Sequence, residues 1–379
     1  MSAALPALGR SRSGMLLRRR RYLAIPTFLL LVTPLVVGIV QPDGPAAILK
    51  EGRILAPAPQ IPKSSAAWLT LPGQVDVYLR DRFGLRHALI RAHKNLTKPM
   101  LGFGGSDSVL VGRNGHFFYL GEDAVRQSAG LIVRDERVSQ TVALLARMNA
   151  ALAARGIKFL VAVPPNASTI YGDDLPHWAQ NHGRRNEYDL MLDELAAKGV
   201  KAIDLRPAER QARSHGAAFF MHDTHWTPRG ALAAFNTIVE ADQRPDWRLD
   251  PKSALSEPKS HNGGDLARML GVENLTERAE DLTPPPVQKA LLSANPFSDY
   301  VATSNKPGPT VMLFGDSFTG GMFDRMLLPH AGRLIWLEHR RCGFDWKAID
   351  RFHPNEVWWM PNERFLICNP GAEPVGFAG

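Results

Sequence analysis

VMLFGDSFTGG, Val311–Gly321, is the stretch that decides the fold. Thr310 to Phe314 is a short apolar run with the length and composition of a buried strand. Gly315 then permits a tight turn, and Ser317 is expected at the start of the next helix. A residue so placed stands at the carboxyl end of a parallel sheet, where ligands bind in open α/β folds, and helix-start N–H groups nearby stabilise negative charge. Ser317 is therefore a candidate nucleophile. Serine is also a frequent helix cap, so the turn alone leaves both roles open.

Upstream of this turn the chain alternates between helical and strand patterns. Arg137 to Arg155 carries Val138, Val142, Leu145 and Leu152 on one face, and the apolar run IKFLVAV follows from Ile157 to Val163. A helix is expected over Glu187–Lys198 and a strand at VKAIDL; strands are also expected at Arg333–Leu337 and Glu356–Met360, with helices around Gly321–Leu328 and Trp346–Arg351. This rhythm predicts an α/β fold, a three-layer sandwich with a central, mainly parallel sheet covered by helices on both faces. Trp358 and Trp359, in a strand apolar throughout, are expected to face opposite sides of that sheet. HFFYL, His116–Leu120, reads as a short strand, and helical spacing runs from Gln74 to Leu96. Between the two halves, Ala241 to Pro309 has little periodicity and is expected to form a lid or one wall of a cleft.

A serine needs a base. MHDTHWTPRGALAAF, Met221–Phe235, supplies one: Thr227 can cap a helix begun by Pro228, and His225 lies just before that cap. Residues two apart in an extended segment point the same way, so Asp223 can hold one imidazole nitrogen and leave the other for Ser317. His222 is the competing base, expected to point to the opposite side; Asp316, beside the nucleophile, reads as a turn-stabilising residue. Trp226 is either a sugar-stacking surface or a core anchor. The chain has no CxxC and no HExxH, the HDxH pair has no third ligand evident nearby, and neither a metal nor an organic cofactor is expected.

The formal charge of +8 is concentrated at the start of the 379 residues, in Arg10, Arg12, Arg18, Arg19, Arg20 and Arg21. The remainder is about neutral, which excludes a basic groove for nucleic acid. Tyr22 to Gln41 is uncharged and about long enough to cross a hydrocarbon layer of ~30 Å. The expectation is a cytoplasmic basic segment at 1–21, a single-pass signal anchor in the inner membrane at 22–41 with a cleaved signal peptide as the alternative, a Pro-, Ala- and Ser-rich linker at 42–72 and a periplasmic domain over 73–379. Cys342 and Cys368 are the only cysteines, either a disulfide or two buried thiols.

GDSF together with DTHWTPxG resembles the alginate O-acetyltransferase family of AlgJ and AlgX type. So do VYLRDRFGLRHALIRAHKNL (77–96), VGRNGHFFYLGE (111–122), VAVPPNASTIYGDDLP (161–176), GGDLARMLG (263–271) and NEVWWMPNERFL (355–366), in that order. The resemblance implies a permuted SGNH hydrolase-like fold with Ser317 as nucleophile, His225 as base and Asp223 as acid. It further implies acetyl transfer to exopolysaccharide hydroxyls, with acetyl supplied by a membrane-bound O-acyltransferase partner. Asn166 is a candidate oxyanion donor or a turn residue. A polysaccharide acetyl esterase on the same three residues, and a non-catalytic polysaccharide-binding subunit, are the alternatives.

Overall fold

The structure, a computed structural model, describes residues 24, 26–29, 32–34, 36–37, 40, 58–59, 61–62, 64–81, 106, 108–272, 274–292, 299–339, 346–366 and 376–377. Residues 1–102 and 103–379 form two compact units. In the first, the described residues between Ala24 and Val40 are helical, and the rest of the expected membrane segment lies outside the described residues. Among the described residues, no helix is long and apolar enough to cross a membrane. Helix α1, Ser65–Asp81, contains Pro72 and so crosses the expected boundary between linker and folded body. Pro72 removes one N–H from the ladder, and Ala, Leu and Gln residues on either side carry the helix past it. Residues 82–96 of the expected helix Gln74–Leu96, and both cysteines, lie outside the described residues.

The second unit opens with strands β1, Val109–Val111, and β2, Phe117–Tyr119, paired antiparallel. Then come α2, Asp135–Ala153; β3, Lys158–Ala162; α3, Glu187–Ala197; β4, Ala202–Ile203; α4, Arg206–His215; and α5, Pro228–Ala241. Next are β5, Lys259–Asn262; α6, Asp265–Leu270; β6, Thr276–Ala279; β7, Ala290–Leu291; and β8, Tyr300–Thr303. The last elements are β9, Thr310–Gly315; α7, Phe323–Leu327; β10, Arg333–Glu338; α8, Lys347–Phe352; and β11, Glu356–Met360. One seven-stranded sheet has the order β4-β3-β11-β9-β10-β8-β7. Its first five strands are parallel, while β8 runs antiparallel to β10 and β7 antiparallel to β8.

Strand alternation divides the core. Val311 and Leu313 of β9 and Trp358 and Met360 of β11 face one cluster, with Ala231, Phe235 and Ile238 of α5 and Phe323 of α7. Met312, Phe314, Val357 and Trp359 face the other, with Val142, Leu145 and Leu152 of α2 and Tyr188 and Leu195 of α3. Helices thus cover both faces, and the two tryptophans lie on opposite sides. Burying both faces is what makes β9 and β11 read as continuous apolar runs.

The region 241–309 is more ordered than its sequence pattern. It adds β7 and β8 to the sheet edge and forms the separate antiparallel pair β5/β6, with α6 between its strands. These strands are two to four residues long, too short for periodicity to register, and β5 and β6 are largely polar as well.

Candidate active site

β9 ends at Gly315, where a Cβ would collide with the Thr319 hydroxyl, so only glycine lets the chain fold back this tightly. Ser317 is not in the first turn of a helix as expected. It lies on a turn, and α7 begins only at Phe323. The turn is held by Asp316, whose carbonyl accepts the N–H groups of Thr319 and Gly320 at 3.0 Å each. The Asp316 carboxylate accepts the Phe318 N–H at 2.9 Å and, across the sheet, the Asn362 N–H at 2.8 Å. Ser317 is exposed and every residue of β9 behind it, from Val311 to Gly315, is buried.

His225 approaches from the other side. Thr227 caps α5, with Pro228 as its first residue, which fixes the segment just before it. The His225 Nε2 lies 2.7 Å from the Ser317 Oγ, and its Nδ1 lies 2.5 Å from the Asp223 Oδ1. The three sequence-selected residues therefore form one continuous chain, carboxylate to imidazole to hydroxyl. His222 does not enter it: its Nδ1 faces Glu277 at 3.4 Å and its ring meets the edge of Phe117.

Asp223 is itself positioned. Its Oδ1 accepts the His225 N–H at 3.0 Å, and its Oδ2 accepts the N–H of Asp265, the first residue of α6, at 2.9 Å. A Cβ on Gly264 would overlap the Asp223 carboxylate, so glycine is required for this approach. Asp265 accepts the Thr224 N–H at 2.8 Å and the Thr224 hydroxyl at 2.6 Å, and its carboxylate lies 3.8 Å from the His225 Nδ1. Glu277 on β6 accepts the N–H groups of Met221 at 2.6 Å and His222 at 3.2 Å.

Burial acts to raise the Asp223 pKa, but the hydrogen bond and charge of His225, with two backbone N–H donors, outweigh it and hold the carboxyl at about 2. Burial likewise opposes charge on His225. The bond and charge of Asp223 and the charge of Asp265 prevail over burial and over Arg364, and raise the imidazole above its ordinary value. Burial first, and the neighbouring Asp223 charge second, raise Asp265. An imidazole so placed is a stronger base with its protonated form stabilised, which suits taking a proton from Ser317.

Asp223, His225 and Asp265 offer donor atoms within 4.8 Å of one another, and Asp265 is the third group that the sequence did not reveal. Their oxygen atoms are already engaged with His225, Thr224 and the Asp265 N–H. Trp226 is corrected as a sugar-stacking residue. It is 0% exposed, lies against Phe318 and Phe323, and donates its indole N–H to the Phe318 carbonyl at 2.8 Å. Asn166 is buried. Its N–H donates to Glu363 at 2.7 Å and its amide reaches Gln127 and Ser128, partners belonging to a turn network rather than to Ser317.

Residues 109–367 match the family model of the SGNH hydrolase-like domain, acetyltransferase AlgX. The chain belongs to this family. It is similar to the probable alginate O-acetylases AlgJ of Pseudomonas aeruginosa, 27% identical over 220 residues, and of Pseudomonas fluorescens, 28% identical over 228. These alignments cover 56% and 57% of this chain and 53% and 54% of those proteins, so the chain spans about half the length of the curated relatives it matches. Among solved structures, PatB1 of Bacillus cereus aligns with a TM-score of 0.51 at 12% identity, over 69% of this chain and 98% of that one. A DHHW family protein from Eubacterium siraeum aligns with a TM-score of 0.50 at 14% identity, over 72% and 98%. Both likenesses concern the SGNH-like α/β fold.

The part matched to the AlgX family contains all the residues of this cluster. Asp265, Gly264, Glu277 and Asn362 were not selected from the sequence. GGDLARMLG contributed to the resemblance as a segment, and its Gly-Gly-Asp ahead of a helix was the available signal for the first two. Glu277 and Asn362 act through backbone N–H groups far away in sequence, and nothing local marks them.

Proposed function

We propose that this chain is an O-acetyltransferase that moves acetyl groups onto polysaccharide hydroxyls through an acetyl-Ser317 intermediate. The observation that carries the reading is the unbroken chain from Asp223 through His225 to Ser317, at 2.5 and 2.7 Å. In the first half-reaction the Ser317 Oγ attacks the carbonyl carbon of an acetyl ester as His225 takes its proton. The tetrahedral intermediate collapses, and the proton passes from His225 to the departing alkoxide. In the second half-reaction His225 takes the proton of an acceptor hydroxyl, that oxygen attacks the acetyl-serine, and Ser317 regains its proton. Asp223 keeps Nδ1 protonated and stabilises the imidazolium formed in each half.

A polysaccharide acceptor is supported by the family and by the names of the AlgJ relatives. The arginine cluster and the uncharged run 22–41 support a single-pass inner-membrane anchor with the second unit in the periplasm. In that arrangement a membrane-bound O-acyltransferase is the partner that hands acetyl groups across. A reporter fused after Gly379 checks it: activity in the periplasm is expected, and activity confined to the cytoplasm refutes it.

The chemistry is tested by giving the protein an acetyl ester with and without oligosaccharide acceptors while following acetate and acetylated sugar. Acetylated sugar exceeding free acetate is expected. Ser317 is exposed, so water can reach the same intermediate, and acetate alone would identify an esterase. Undiminished activity in Ser317→Ala would remove the serine mechanism.

A further inference from the structure

Gly320 and Gly321 carry the chain from the nucleophile turn toward α7. Gly321 has a φ of +90°, a conformation that glycine alone adopts without strain, and a pair of glycines gives this stretch shape but no stiffness. The backbone bonds to the Asp316 carbonyl reach no further than Gly320. The far end of the turn is held instead by side chains of β8 and β10.

Because β8 runs antiparallel to β10, its first residue, Tyr300, stands at the carboxyl end of the parallel strands, paired in register with Trp336. The two rings stack at 5.3 Å and 13°, within the cluster that also holds Phe318 and Phe323. Their polar groups both serve the turn. The Trp336 indole N–H donates to the Thr319 hydroxyl at 3.0 Å, and the Tyr300 hydroxyl accepts the Gly321 N–H. Tyr300 donates its own proton to the Asp324 carboxylate at 3.2 Å; burial, then the Asp324 charge, raises the Tyr300 pKa, so that proton stays. Asp324 is 1% exposed and is compensated by Lys289, whose Nζ lies 2.6 Å from its Oδ2 and 4.4 Å from the centre of the Tyr300 ring. The other Asp324 oxygen accepts the Arg325 N–H at 2.8 Å. The lysine thus fixes the carboxylate, the carboxylate directs the tyrosine hydroxyl, and a lone pair of that hydroxyl is left for the Gly321 peptide.

We infer that Tyr300, oriented by the Lys289–Asp324 pair, is a positioning residue for Ser317: it pins Gly321 and so holds the nucleophile turn in the conformation that presents the hydroxyl to His225. The inference rests on the acyl-transfer reading of Ser317. Packing against Trp336 asks only for a ring, whereas the buried hydroxyl with a carboxylate and an ammonium arranged around it serves the peptide. Removing the hydroxyl leaves the ring stack and the Trp336 bond in place and frees Gly321, and misplacement of a reacting group by about 1 Å costs up to roughly 100-fold in rate.

The test uses full-length protein and an aryl acetate, with rates taken well below the melting transition of each variant so that loss of folded protein does not enter them. Tyr300→Phe should lower the maximal single-turnover rate of Ser317 acetylation about tenfold, the scale of one buried hydrogen bond, with half-saturation by the ester unchanged and the Gly321 amide resonance shifted. Lys289→Gln should give part of the same loss, and Lys289→Arg should recover it, since a guanidinium can still pair with Asp324. A wild-type acetylation rate in Tyr300→Phe overturns the inference, as does a loss confined to half-saturation. If Tyr300→Phe does not fold, the lysine variants decide: a Lys289→Gln rate equal to that of the wild type overturns it. Absence of acetyl-Ser317 in the wild type, seen by mass spectrometry, would instead mark failure of the acyl-transfer reading itself.

Discussion

The segment that carries Ser317 and the segment that carries Asp223 and His225 meet at 2.7 Å, yet they are fixed in different ways. The nucleophile turn is local: Gly315, the Asp316 carbonyl and carboxylate, and one bond from the neighbouring strand's exit hold it. The acid-base segment is held from a distance, by Gly264 and Asp265 at the start of α6 and by Glu277 on β6, 41 to 56 residues further along. One half of the site is thus a property of the sheet, and the other depends on a small appended hairpin.

The largest expected effects ignore this difference. Ser317→Ala, His225→Ala and Asp223→Ala should each reduce turnover at least about 10³-fold, and the Ser317/His225 double variant should cost little more than the worse single, because the three act as a unit. Steady-state rates on an aryl acetate, with thermal melts to confirm folding, check this. Additive losses would mean that the two residues serve separate steps.

Gly264→Ala separates the halves. The new Cβ must push Asp223 aside, and displacement of about 1 Å at such a group costs roughly 100-fold in rate. Ser317 is untouched by it, so labelling of Ser317 by a fluorophosphonate is expected to slow, while the crystal or NMR structure of the nucleophile turn stays as it is.

A smaller loss is expected on the hairpin itself. Glu277→Gln leaves one carboxamide oxygen for two N–H donors, Met221 and His222, and should lower kcat about tenfold. Asp316→Asn is the matching change on the other segment. An amide oxygen can still accept the Phe318 N–H, but its NH₂ end meets the Asn362 N–H, so the expected effect is a lowered melting temperature with the rate reduced in parallel.

The smallest effect sharpens the comparison through pH. The base must be neutral, and its pKa is raised, so activity should fall on acidification with a midpoint above the ordinary 6.5. Asp223, Asp265 and Arg364 are the charges that act on it. Asp265→Asn removes one of the charges that raise it, and the acid limb of the kcat/KM profile should move down toward 6.5. An unmoved limb would show that the Asp265 side chain acts on the site only through Thr224.

This contrast also explains what could be read in advance. β3, β9, β10 and β11 are buried on both faces, and their unbroken apolar runs are visible without knowing the fold. The Asp-x-His spacing and the Thr227-Pro228 cap are equally local, and each brought its residue to the cluster. Region 241–309 was opaque for the opposite reason. β5 and β6 are polar and exposed along most of their length, and their role lies in backbone donors and carboxylates that leave no periodic trace. Trp226 was readable as either surface or core, because a residue one position from the base can turn to solvent or to the sheet, and only packing against Phe318 and Phe323 decides it.

That packing has one further consequence. Trp226 follows the base and bonds the carbonyl of the residue that follows the nucleophile. Base and nucleophile are therefore joined twice, once through the open site and once through the buried indole beneath it. Thermal excursions of the two segments are coupled by the lower link, which keeps their separation steady while an acetyl group occupies the upper one. The indole N–H resonance of Trp226 is accordingly a built-in gauge of that separation, readable without touching any atom that reacts.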